Sequence, residues 1–412
     1  MKVLIVSESD IDGGAARAAY RLHRSLLAQN IKSQMLVQRK ISDDYTVKSS
    51  TSKISRVISR LRPLIDRLPL LLYKQRTKTL FSPSLLPFSK IIDQINEYKP
   101  DVVHLHWIAS GMIPIKDLSK INAKVVWSCH DMWPLTGGCH YDEECEGYKI
   151  TCRDCKVLGR NDAILSRQVF KKKLAAYRQI GSLAMIGSSR WMTRCIASSQ
   201  LTRGLESFTL PNCIDTQIFK PIEKDVARSF FKIPQGKKVV LFSAMNVLGD
   251  PRKGAREVFE AIEKLEKNNV VVVIAGSSKP ETPPDLSCEV YYISPLYDEV
   301  SLALMYNIAD VIVVPSLQEN LANSIVESMA CGVPVVAFNV GGNPDLIDHE
   351  INGYLAHSYD TTDLAQGISW IINNDSYCRI SKSAITKVMS NYESNLVAKK
   401  YIGLYEKILE DS

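Results

Sequence analysis

The chain has 412 residues, a formal net charge of +7, 45% hydrophobic and 23% charged residues. That balance excludes disorder and suits two globular domains better than one. The mild positive charge makes no case for nucleic acid and fits an anionic substrate or surface equally well.

The first residues, MKVLIVSESD, hold a short apolar run followed by acids. This reads as a buried first strand, because a signal peptide needs a longer apolar segment and a small-residue cleavage site. No stretch approaches the roughly 18 uninterrupted apolar residues of a membrane span. The expected location is the cytoplasm, where disulfides are uncommon. Gly13 and Gly14 follow the first strand and precede a helical pattern over 15–29. Missing side chains there let a diphosphate or sugar approach the backbone, although a simple tight turn needs the same residues. Asp10 and Asp12 form a D-x-D at the end of the first strand, too early in the chain for a metal-binding pair, and chance explains them better.

Residues 53–78 carry Lys53, Arg56, Arg60, Arg62, Arg67, Lys74, Arg76 and Lys78 against one acid, Asp66, with Leu and Ile between them. Two readings stand: a basic amphipathic element on an anionic membrane surface, or a solvated helix pair broken at Pro63 and Pro69. Apolar runs at 101–107 and 124–128 read as further strands. His130 and Asp131 follow the second of these, at a strand's carboxyl end where a ligand would sit. A lone His is more often structural, but this position favours a role, with Asp131 as the group that orients it.

Cys139, Cys145, Cys152 and Cys155 fall within one loop, and Cys152-x-x-Cys155 has metal-ligand spacing. Four thiolates would close a structural zinc site with no open position. Free thiols, or disulfides formed on oxidation, are the alternatives. The other six cysteines read as packing residues.

Pro211, Asn212 and Pro221 mark a linker over 209–221. Domains are therefore expected over 1–212 and 213–390, with a last helix at about 391–412 for which the pattern leaves two partners open, the second domain or, packing back, the first. After the linker, apolar runs at 238–243, 270–275, 310–315 and 333–338 alternate with helical patterns at 255–267 and 300–309. These runs are continuous rather than alternating, as in parallel strands covered on both faces. Strand–helix alternation along the whole chain predicts α/β architecture with doubly wound sheets.

The segment 315–336, PSLQENLANSIVESMACGVPVV, places a loop after a strand, a helix from about Ser324 and a stop at Gly332. In open α/β sheets ligands sit beyond the carboxyl ends of strands, where helix N-termini face them. Glu319 on the loop and Glu327 in the first turn can face one ligand and accept hydrogen bonds from sugar hydroxyls. Ser324 with Glu327 also has capping-box spacing, a purely structural alternative.

Glu319 and Glu327 make this stretch resemble the E-x7-E signature of glycosyltransferase family 4, retaining enzymes of the GT-B fold. The resemblance extends through Gly13-Gly14, His130-Asp131, Pro211-Asn-Cys-Ile-Asp215, Arg252-Lys253-Gly254, Gly276 and Gly341-Gly342. It implies two Rossmann-like domains facing a central cleft and chemistry without a catalytic metal. It implies that Glu327 and Ser324 lie at the nucleotide, with Glu327 on the ribose hydroxyls. Glu319 would hold the donor sugar, helped by backbone N–H groups of Asn320, Leu321 and Ala322. Arg252 and Lys253 would clamp the diphosphate, where cations stabilise the leaving group. Their adjacency predicts unequal contact with phosphate. His130, in the cleft near donor sugar and acceptor, would position or polarise.

The implied activity is transfer of a sugar from a nucleotide sugar to a glycan or lipid-linked glycan in envelope or exopolysaccharide assembly. UDP-glucose is the first candidate donor. Two rivals are a UDP-sugar epimerase of the same fold, which needs acid/base groups not seen here, and a non-catalytic binding subunit, which would not need the charged set.

Overall fold

The structure is a computed structural model describing residues 1–49, 53–161, 163–243, 249–266 and 269–410, with the side chains of 53–56 outside the described part. The chain forms two compact units, Met1–Asn212 with Val397–Ser412, and Cys213–Leu396.

In the first unit, β1 (Lys2–Ser9), β2 (Lys32–Arg39), β3 (Val47–Lys48), β4 (Val102–Leu105), β5 (Lys124–Cys129), β6 (Leu183–Gly187) and β7 (Glu206–Thr209) form a parallel sheet in the order β3-β2-β1-β4-β5-β6-β7. Val3 of β1 sits between Ser33 of β2 and Val102 of β4, which fixes the register at the point where the strand order reverses. The central strands are buried along nearly their whole length, as continuous Val/Ile runs require when helices cover both faces. The helix Gly14–Ala28 follows β1 and turns Ala16, Ala19, Leu22 and Leu26 inward.

The second unit holds β8 (Lys238–Ser243), β9 (Val270–Ala275), β10 (Glu289–Ile293), β11 (Val311–Val314), β12 (Val335–Phe338) and β13 (Gly353–Ala356), all parallel, in the order β10-β9-β8-β11-β12-β13. The helical pattern expected over 255–267 is observed as Ala255–Glu263; Lys267 lies outside the described residues. Order again reverses between β8 and β11, so each sheet has one switch point, where ligands settle in this architecture.

The last helix, Ser394–Glu410, buries Val397, Tyr401, Leu404 and Tyr405. Tyr405 Oη lies 2.7 Å from His104 Nδ1, and Tyr401 Oη donates to the Leu210 carbonyl, so the helix is tied to the first unit. No helix among the described residues is long and apolar enough to cross a membrane.

The basic segment forms the helix Lys53–Asp66, which carries Pro63 within it, and the 3-10 turn Leu68–Leu72. The side chains of Lys53 and Arg56 lie outside the described residues. Arg62 and Asp66 are buried, so neither belongs to an exposed basic face.

Candidate functional site

In the second unit, the loops after β8, β11 and β12 are stitched together around Glu319. The 3-10 turn Pro251–Lys253 ends at Gly254, whose φ is +72°, and a Cβ there would run into the Pro315 backbone. Only glycine lets this turn lie against the end of β11. The Leu317 amide then donates to the Arg252 carbonyl at 2.8 Å. From the other side, Gly341 (φ +55°) sits so near the Glu319 backbone that a side chain would clash with it, and the Gly342 amide donates to the Glu319 carbonyl at 3.2 Å.

This stitching places Lys253 Nζ 2.7 Å from Glu319 Oε2, while the Asn320 amide donates to Oε1 at 3.2 Å. Burial pushes the Glu319 carboxyl up. The Lys253 ammonium outweighs it, with Arg252 and the Asn320 amide assisting, and holds the acid below the ordinary Glu value. Glu319 is therefore ionised at neutral pH, ready to accept from hydroxyls. Arg252 turns away to Asp250, with its Nη2 at 2.6 Å from Oδ2 and its amide donating to Oδ1. The two adjacent cations are thus held by different carboxylates.

The helix after this loop runs Asn323–Ala330 with Ala322 at its N-cap, and no side chain caps it. The sequence spacing predicts a start at about Ser324, with Glu327 in the first turn. The observed start puts Glu327 one turn further along, and the Ser324–Glu327 capping box does not form. Glu327 is buried, and its Oε2 accepts from Tyr306 Oη at 2.6 Å. Tyr306 was missed by the sequence reading; it lies on the helix Glu299–Asn307, and no spacing ties it to Glu327. Asn320, Leu321 and Ala322 are buried in the same loop.

In the first unit, Gly13 has φ +101° and ψ 159°, a region essentially restricted to glycine. A Cβ there would meet nothing within 4 Å, so the backbone angle and not crowding requires glycine. Gly14 opens the helix that follows. Asp10 is fully buried and accepts from the amides of Ile41 and Ser42, and Asp12 pairs with Arg39 at 2.5 Å. Asp10 thus serves the loop after β2, and Asp12 the last residue of that strand.

His130 and Asp131 leave the end of β5 beside His106 and Trp107, which leave β4. His130 Nε2 lies 2.8 Å from His106 Nδ1, with the rings stacked at 5.1 Å between centroids. Behind them His104 lies against His106, the ring centroids 4.2 Å apart and the planes tilted by 39°, and is held by Tyr405 and by Ser128. Burial pushes the His130 imidazole down to about 4 against the pull of Asp131, and burial with the neighbouring imidazoles lowers His106 well below the ordinary value. The stack is neutral at pH 7.

Asp131 had been expected to orient His130. Its hydrogen bonds run instead to His140 Nδ1 at 2.7 Å, to the Trp107 indole N–H at 2.9 Å and to the Trp133 amide at 2.8 Å. Burial opposes ionisation of Asp131; His140 and these donors overcome it and hold the carboxyl below its ordinary value. Asp131 acts on His130 as a nearby charge. His106, Trp107 and His140 were not singled out from sequence, although the H-L-H-W spelling at 104–107 carries a signal, because alternate strand residues share a face.

The zinc expectation meets a different geometry. Cys139, Cys152 and Cys155 are buried and Cys145 is half-buried, but among the described residues no three His, Cys, Asp or Glu side chains gather to hold a metal. The four thiols are near enough to raise one another's pKa. Cys152 Sγ accepts from the Gly137 amide at 3.1 Å, and burial, with neighbouring cysteines, pushes its pKa up to about 12 and that of Cys155 to about 11.

Comparison with known proteins bears on both units. The profile described as "Glycosyltransferase Family 4" matches residues 12–204, and that described as "Glycosyl transferases group 1" matches residues 223–388. A D-inositol 3-phosphate glycosyltransferase of Mycolicibacterium smegmatis is 30% identical over 172 residues, 39% of each chain. The chain spans half or less of the length of the curated relatives it matches. Among solved structures, a sucrose-phosphate synthase from Thermosynechococcus elongatus covers all of both chains with a TM-score of 0.72 at 18% identity. Anabaena HepE in complex with UDP-glucose covers 99% of this chain and all of its own, with a TM-score of 0.64 at 14% identity. At these identities the structural likeness speaks for the fold, GT-B, and not for the substrate.

Proposed function

We propose, from the premise that the chain belongs to the glycosyltransferases of family 4 and group 1 with the GT-B fold, that it moves a hexose from a nucleotide sugar to a hydroxyl-bearing acceptor with retention of anomeric configuration. The observation that carries this reading is the ring of three strand-end loops around the ionised Glu319, with Lys253 beside it and Glu327 on the following helix. Glu319 accepts hydrogen bonds from the hydroxyls of the donor sugar, with the amides of Asn320, Leu321 and Ala322 beside it. Glu327, steadied by Tyr306, accepts from the ribose hydroxyls, and Ser324 lies close by on the same helix.

Lys253 and, to a lesser degree, Arg252 neutralise the diphosphate as the bond to the sugar breaks. In this role Lys253 exchanges a carboxylate for a phosphate, so donor binding and release of Glu319 toward the sugar occur together. No step requires a metal. His130, neutral and backed by His106, polarises a sugar or acceptor hydroxyl. A UDP-hexose is the proposed donor, in keeping with the UDP-glucose bound to the Anabaena neighbour. The proposed acceptor is a glycan or lipid-linked glycan of the envelope or of an exopolysaccharide, handled at the cytoplasmic face of the membrane.

The test is a panel of nucleotide sugars offered to the purified protein with and without lipid-linked and free glycan acceptors, reading nucleoside diphosphate release. Release that depends on acceptor supports the proposal. Interconversion of the donor without release favours the epimerase, and binding with neither favours a non-catalytic subunit.

A further inference from the structure

The helix Lys53–Asp66 is turned inside out. A surface helix normally buries its apolar stripe and shows its charges to water. Here the positions facing the body of the unit are Arg62 and Asp66, one turn apart and both buried. Arg62 Nε donates to the Gly111 carbonyl at 2.6 Å, and its two Nη atoms donate to the carbonyls of Leu86, Pro87 and Phe88. Asp66 accepts from the amides of Ser84 and Leu85 at 3.1 and 3.3 Å. Gly111 has φ +73°, and a Cβ there would press on Asp66, so the body is shaped to take the polar side of this helix.

The apolar side faces outward. Val57, Ile58, Leu61, Leu64 and Ile65 are exposed along the helix. In the turn that follows, Leu68, Leu71 and Leu72 are 56%, 74% and 78% exposed, and the neighbouring Phe88 is 92% exposed. Monomeric soluble proteins rarely present a contiguous apolar surface of this kind without a use for it. Within the segment 57–78 the exposed charges have one sign: Arg60, Arg67, Lys74, Arg76 and Lys78 are all exposed, while Asp66, its single acid, is buried.

We infer that this face is a docking surface for an anionic lipid bilayer. Charge complementarity selects the occupant. An apolar face of branched aliphatic residues and Phe, fringed by the Arg and Lys of its own segment, matches acyl chains beneath anionic headgroups, and the long basic side chains reach the headgroups while the Leu side chains sink. The buried Arg62–Asp66 anchor holds the helix in this orientation without the membrane. The inference extends the proposed function to where the acceptor resides, and its evidence is independent of any catalytic residue.

The experiment is co-sedimentation of the full chain with vesicles of phosphatidylcholine alone and of phosphatidylcholine with 30% phosphatidylglycerol (about 0.1 M salt, where surface charge is only partly screened). The protein should pellet with the anionic vesicles, weakly or not at all with the neutral ones, and less as salt rises. The triple variant Leu64→Glu, Leu71→Glu, Leu72→Glu changes exposed positions only, so it should fold and bind UDP as the parent does while losing binding to anionic vesicles by tenfold or more. Failure of the parent to bind anionic vesicles, or equal binding by the triple variant, would overturn the inference. So would a concentration-dependent dimer that the variant abolishes while vesicle binding is absent, which would assign the face to a second copy. None of these results touches acceptor-dependent nucleotide release from soluble substrates, so failure here and failure of the glycosyltransfer reading are separable.

Discussion

Lys253→Met should turn Glu319 from an asset into a burden, with a sign that depends on pH. In the native protein Glu319 is buried, its carboxylate receives Lys253 at 2.7 Å and the Asn320 amide at 3.2 Å, and its pKa lies below the ordinary Glu value. Its ionised form therefore contributes stability above the unfolded pKa, and that contribution is lost as pH falls through the folded pKa. Methionine keeps the aliphatic stem and removes the charge. Burial then dominates, the folded pKa rises above the unfolded one, and the deprotonated acid costs stability at neutral pH.

Removing one partner of a fully buried pair costs about 3–5 kcal/mol. The Lys253 side chain keeps 24% exposure and Glu319 keeps 11%, so water screens part of the interaction and about 1–3 kcal/mol is the expected loss at pH 7.5, in the range of a charged hydrogen bond. Hydrogen exchange of the amides in the second unit reads this without requiring the whole chain to unfold in one step. The loss should shrink as pH falls toward 4 and Glu319 protonates, and Glu319→Gln added to Lys253→Met should recover most of it. A loss that stays constant from pH 7.5 to 4, or a double variant no more stable than the single, would refute the coupling.

Glu327→Gln should weaken UDP binding by about 1–3 kcal/mol in calorimetric titration; unchanged affinity with lowered thermal stability would reduce Glu327 to a partner of Tyr306. His130→Ala should lower kcat by roughly two orders of magnitude, as for positioned acid/base groups, while UDP affinity changes little; near-normal kcat would return His130 to the structural histidines. Elemental analysis of protein purified without added metal should find well below one zinc per chain, since no three candidate ligands gather among the described residues; about one zinc per chain, released as the four cysteines are alkylated, would establish the four-thiolate site.

The doubly wound sheets were legible because their central strands are continuous Val/Ile runs, and burial on both faces leaves few other ways to read 270–275 or 311–314. Strands with mixed composition were not legible. β2 carries Lys32, Gln34 and Gln38, β7 carries Glu206, and β10 opens on Glu289; each lies toward an edge of its sheet, where pairing holds the strand and hydrophobicity need not. Glu319, Glu327, Arg252 and Lys253 could be found because a strand end, a loop and a helix start are visible in one dimension. The Lys253–Glu319 pair was not, since it exists only because Gly254 and Gly341 let three loops touch. The helix Lys53–Asp66 shows the limit most plainly. Its composition is equally compatible with a solvated helix pair, and only the burial of Arg62 and Asp66 reveals which side faces out.

The histidine stack draws on both kinds of information. His106 is buried, its Nδ1 meets His130 Nε2, and its Nε2 has no hydrogen-bond partner among the described residues. Neutral imidazole carries one N–H and one lone pair. An orphaned buried N–H is the rarer defect in native proteins, so the orphan Nε2 is assigned the lone pair and the proton sits on Nδ1, donating to His130. His130 then accepts through Nε2 and must carry its own proton on Nδ1, which fixes it as a hydrogen-bond donor at that atom. A neutral donor of fixed tautomer suits polarisation of a hydroxyl better than removal of its proton, because a base would need its lone pair turned to the substrate. Behind His106 stands His104, which Tyr405 of the last helix and Ser128 hold in place. The packing of that helix on the first unit therefore reaches the end of β4 that carries His106.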